Sequence, residues 1–112
     1  MNATLSQLDR IFENLWSDID SLNEQELVDI FNKYYDLLVH KDNKNDFKEL
    51  SIKQYSMLQA HYNGLQSYIM WLRDLYSGYR PLIDAVATVQ GGLHKILQEN
   101  GVLAHEDGRK AI

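Results

Sequence analysis

Asp36 and His40 stand four residues apart, a spacing that puts both on one face of a helix and within reach of a single metal ion. His61 could join them from the next helix. The rest of a helical metal signature is missing. There is no HExxH, and none of the four histidines has a glutamate three residues before it. His40 is equally well explained as a side chain placed at the negative end of its helix. Nucleophilic and phosphate chemistry lack a motif as well. The stretch QGGLHK (90–95) has none of the remainder of a P-loop, and no Ser, His and Asp spacing marks a nucleophile. No catalytic, cofactor-binding or metal-ligating residue is assigned, and the chain reads as a binding protein without an enzyme's site or a cofactor.

Nucleic-acid binding is the alternative. Ala60 and Gly64 are spaced as in many helix-turn-helix units, but Gln59, Asn63 and Arg73 fall where that unit packs apolar side chains. Charge argues the same way. The net charge is −5, and residues 1–50 carry eleven acids against five bases, while residues 51–112 carry five acids against six bases. The acidic half repels phosphate and anionic lipid, and the near-neutral half gives no basic footprint. A helix-turn-helix-like regulator therefore stays second to a protein-binding module. The acids Asp9, Glu13, Asp20, Asp29 and Asp36 form the expected partner-binding face, suited to steering toward a basic protein. Seven Tyr, two Trp and three Met add contact surface of the kind that interfaces and cores both use.

The elements that position these residues are helices. Leu5, Leu8, Phe12, Leu15, Ile19 and Leu22 are spaced alternately three and four apart, and Leu27, Ile30, Phe31, Tyr34, Leu37 and Leu38 draw a second stripe. A third stripe runs Leu58, Tyr62, Leu65, Ile69, Leu72, Tyr76, Tyr79, Ile83, Val86, in phase across Pro81. Beside it lie His61, Tyr68, Leu75, Leu82 and Val89 at sevenfold spacing. Thr4 with Gln7, Asn23 with Glu26 and Ser51 with Gln54 each read as an N-cap with its partner three residues on. HKDNKNDFKEL (40–50) has no period and reads as a polar loop, with Phe47 tucked in. Gly101 after Asn100 reads as a helix stop, with Val102 reaching back to Leu97.

These signals predict an all-α protein, a small bundle of three to four helices in one domain over 1–103, with residues 104–112 a mobile tail. The long segment 51–100 is expected to break or kink near Pro81. Unbroken, it would measure about 75 Å and could be covered only by a second chain. The double stripe leads to an expected homodimer through Tyr62, Tyr68, Ile69, Leu72, Leu75 and Tyr76. Absence of cysteine and of any long apolar run suggests a cytoplasmic protein that contacts no membrane. Adaptors, export chaperones and phage-encoded or bacterial inhibitors share this physical character.

Overall fold

Apolar residues three and four apart fold as helix throughout the described chain, which comprises residues 3–75 and 79–100 of this computed structural model, without the side chains of 74 and 75. The elements are α1 (Ala3–Asp18), α2 (Glu24–Val39), α3 (Ile52–Leu75) and α4 (Arg80–Glu99). Two 3-10 segments, Ile19–Ser21 and Lys41–Phe47, lie between them. There is no β-strand among the described residues, and the protein is all-α. The expected tail at 104–112, the stop at Gly101 and residue Tyr76 lie outside the described residues, as does the side chain of Leu75.

Local chemistry sets the helix starts. Ahead of α2, Asn23 Oδ1 accepts from the Glu26 N–H at 2.8 Å while Glu26 Oε1 accepts from the Asn23 N–H at 2.9 Å. Ser51 and Gln54 repeat this reciprocal pair before α3, at 2.7 and 3.2 Å. Both satisfy amides that a helix leaves unpaired in its first turn. Thr4 corrects the expectation. It lies inside α1, and its hydroxyl donates to Asp46 Oδ2 at 2.6 Å instead of capping. A carboxylate is the stronger partner for a buried hydroxyl, and the bond ties α1 to the second 3-10 segment. In α4, Tyr79 is the N-cap without a side-chain bond and Pro81 sits in the first turn. Its missing N–H would be unpaired there in any case.

The segment 51–100 does not form a single rod. The Tyr55 hydroxyl donates to the Asn100 carbonyl at 2.7 Å, and Gln90 Nε2 donates to Gln66 Oε1, so α3 and α4 run antiparallel. The longest dimension of the molecule is 42 Å. Residues 76–78, between the two helices, lie outside the described residues. The helix-turn-helix reading also loses its local geometry, because α3 continues unbroken through Ala60 and Gly64.

Around the bundle the order is α1, α2, α4, α3. Leu38 and Tyr35 of α2 meet Gly92 of α4, and Trp16 of α1 meets Tyr68 of α3. The path from α2 to α3 must therefore cross one end diagonally. Lys41–Phe47 makes that crossing as 3-10 turns where the sequence suggests only a loop. His40 starts it, its Nδ1 accepting from the Asp42 N–H at 3.1 Å. Phe47 and Leu50 plug the end of the core, and Asn100 Nδ2 donates to the Phe47 carbonyl at 3.0 Å.

This wrapping uses both stripes of α3 within one chain. Tyr68, Ile69 and Leu72, expected at a subunit interface, are buried in the chain's own core. Tyr62 is half-buried against His94, with ring centroids 6.0 Å apart. Of its large apolar side chains α3 leaves Ile52 exposed at its start, and towards its end the adjacent pair Met70 and Trp71, 59% and 46% exposed. No helix among the described residues is long and apolar enough to cross a membrane.

Candidate functional site

Two constellations stand out, one closed and one open. In the closed one, His61 of α3 is 3% exposed and bonded through both ring nitrogens. Nε2 lies 3.1 Å from Asp9 Oδ1 on α1, and Nδ1 lies 2.7 Å from the Tyr34 hydroxyl on α2. A carboxylate accepts, so Nε2 carries the proton and donates to Asp9, while Nδ1 accepts from Tyr34. The ring also stacks on Phe12, centroids 3.9 Å apart and planes 13° from parallel. Burial holds the His61 pKa below the ordinary histidine value, against the opposing pull of its hydrogen bond to Asp9 and the Asp9 charge. Burial, reinforced by the charge of Asp9, pushes the Tyr34 phenol well above its usual range. An acid, an imidazole and a hydroxyl in this order resemble a proton relay. Here the hydroxyl is enclosed and held protonated, so the arrangement stitches three helices together and presents no nucleophile.

The open constellation is a cleft of about 490 Å³ at the end of the bundle where α1 and α3 finish and α2 and α4 begin. Gly64 makes room for its inner wall. A methyl group there would come within 3.1 Å of the Phe12 ring and 3.9 Å of Trp16, so the missing side chain lets α1 lie close against α3 without a shift of Phe12. From that point rings follow one another outward. Phe12 meets Trp16 edge-on at 5.4 Å, Trp16 meets Tyr68 edge-on at 5.2 Å, and Tyr68 lies nearly parallel to Trp71 at 5.8 Å. The run begins at buried His61 and reaches the surface at Trp71. Asp20, from the first 3-10 segment, and Glu24, from the first turn of α2, also line the cleft. Both are exposed, neither has an ion-pair partner among the described residues, and the described lining contains no cation.

Of the five acids expected to form one face, the structure brings only Asp20 to this cleft. Asp9 is half-buried and bonded to His61, unlike the exposed acids of the expected face. A buried histidine needs a partner at each nitrogen, and that demand outweighs exposure of the carboxylate. Glu13, Asp29 and Asp36 are exposed, with Asp29 accepting from Gln25 Nε2 at 2.9 Å. Asp36 lies about 18 Å along α2 from Glu24, toward the opposite end. Asp36, His40 and His61 do not assemble, and no group of three or more potential metal ligands occurs among the described residues.

The sequence carries a signal for the closed constellation: His61 interrupts an otherwise apolar line. It carries a weaker one for the cleft, whose Trp16, Trp71 and Glu24 come from three different helices. No known protein family, curated protein or solved structure matches the chain.

Proposed function

We propose that the protein is a binding module without catalytic chemistry, and that it engages a basic protein partner at the aromatic cleft. The carrying observation is Trp71, nearly half exposed beside Met70, at the mouth of a cleft walled by Trp16 and Tyr68. Tryptophan and tyrosine supply large contact area for little lost freedom and dominate interface energetics. The carboxylates of Asp20 and Glu24 in the cleft lining, with Glu13 and Asp29 nearby in sequence, favour a partner of positive charge. A cysteine-free composition is in keeping with action in a reducing cytoplasm.

The test is capture of partners from the source cells by the wild-type protein and by Trp71→Ala. The substitution should leave helical content intact and deplete the captured species. Association of that species should slow with added salt and with charge reversal at Glu13, Asp20 and Asp29. If Trp71→Ala captures the same species as strongly, the cleft is not the contact surface. A second copy of the chain is the competing occupant, now through Met70 and Trp71 in place of the buried Tyr68, Ile69 and Leu72. Sedimentation at micromolar concentration distinguishes the two, since a self-associating protein reads at twice the monomer mass and Trp71→Ala should return it to monomer.

A further inference from the structure

The chemistry of the cleft narrows what can occupy it. We infer that it takes the guanidinium of an arginine side chain from the partner, held against the Trp16 and Trp71 rings and neutralised by Asp20 and Glu24. This rests on the protein-binding reading and names the group that is read.

Three observations converge on a cation. Trp16, Tyr68, Trp71 and Tyr79 line the cleft beside aliphatic residues, and a ring face carries negative electrostatic potential that attracts positive charge, most strongly for indole. Two carboxylates without an ion-pair partner among the described residues line the same cleft. No described cation of the chain already fills the site. Arg80, next to Tyr79 at the cleft wall, extends along its own helix to Asp84 at 3.6 Å. Planarity then selects arginine over lysine. A guanidinium can lie flat on an indole while its N–H groups reach carboxylates in its own plane, whereas a lysine ammonium is a strongly hydrated point charge with no face to stack.

A groove at the opposite end of the bundle supplies an internal contrast. It has comparable size, about 630 Å³, and it too has aromatic lining in Tyr35 and Phe47, but Lys41, Lys44 and Lys95 outnumber its one carboxylate, Glu99. The positive balance of that lining disfavours the same ligand in this groove.

The two tryptophans of the chain, Trp16 and Trp71, both line the cleft, so intrinsic fluorescence reports on this site directly. The full chain is titrated with the pentapeptide acetyl-Gly-Leu-Arg-Leu-Gly-amide and with its citrulline counterpart, which keeps the planar shape and removes the charge. The arginine peptide should give a saturable change at millimolar concentrations, and the citrulline peptide should bind about tenfold more weakly. Asp20→Asn with Glu24→Gln should bring the arginine peptide down to the citrulline level and leave the citrulline peptide unchanged, with circular dichroism confirming the fold. Equal binding of the two peptides overturns the inference and leaves an apolar docking cleft, with the protein-binding reading intact. No fluorescence response to either peptide, while capture of a partner still depends on Trp71, also overturns the arginine assignment alone.

Discussion

His61 shows how one polar side chain can be held in an apolar interior when both of its nitrogens are matched. Its neutral form is the one the fold favours, because burial lowers its pKa. The unfolded chain then binds a proton that the native one does not, over the interval from the ordinary histidine value of 6.5 down to the lowered native value. Stability should be full above that interval and fall as pH drops through it. His61→Gln should reduce stability at neutral pH by about 1–3 kcal/mol, since Asp9 and Tyr34 lose a matched partner, and should flatten the slope below pH 6.5. Urea melts at several pH values measure both effects. Two glycines make a second residue-scale comparison. Gly91 has open space where a methyl would go, so Gly91→Ala should raise stability by about 1 kcal/mol through helix propensity. Gly64→Ala gains the same propensity but drives a methyl against Phe12, which is stacked on His61. It should come out destabilising, by about 1 kcal/mol or more. Equal shifts for the two alanines would mean that Phe12 yields freely and does not set the α1–α3 distance.

At the scale of elements, Pro81 belongs to the first turn of α4, where proline's fixed backbone angle suits a helix start. Pro81→Ala should leave helical content and association state unchanged and cost about 0.5–1 kcal/mol, through the greater freedom of the unfolded chain. A gain in stability or a change in assembly would show that proline interrupts a helix that would otherwise continue. The starts at Asn23 and Ser51 are legible in the sequence because each cap and its partner lie three residues apart, and both halves of the signal are local. Thr4 is not legible in the same way. Its true partner, Asp46, is 42 residues away and becomes a neighbour only once the helices are assembled. The apolar stripes likewise identify Leu58, Leu65, Tyr68 and Leu72 as buried but not what buries them. Periodicity gives the inward side of a helix and is silent on whether its cover comes from the same chain. Tyr68, Ile69 and Leu72, expected to meet a second chain, are covered by the chain's own helices, and the cleft escapes notice because it needs the ring order α1, α2, α4, α3.

At the scale of the whole molecule, the bundle has two unlike ends. One end carries Trp16, Trp71, Asp20 and Glu24; the other carries the 3-10 crossing and its lysines. The Thr4–Asp46 and Asn100–Phe47 bonds fasten the start of α1 and the end of α4 to that crossing, so both extremes of the described chain sit together at the lysine end. Asn100→Ala removes the side-chain bonds to the Phe47 and Ile96 carbonyls and should loosen this end by about 1 kcal/mol without disturbing the cleft. Amide hydrogen exchange should quicken across 41–50 and 96–100 and stay unchanged around Trp16 and Trp71. The placement of the ends also fixes how the molecule is presented when it is held. A tether attached near residue 3 or near residue 100 grips the same pole, and the bundle, 42 Å in its longest dimension, stands off it as a short stalk. Grafted to a bead, a surface or a second domain from either side, the protein points its tryptophans outward.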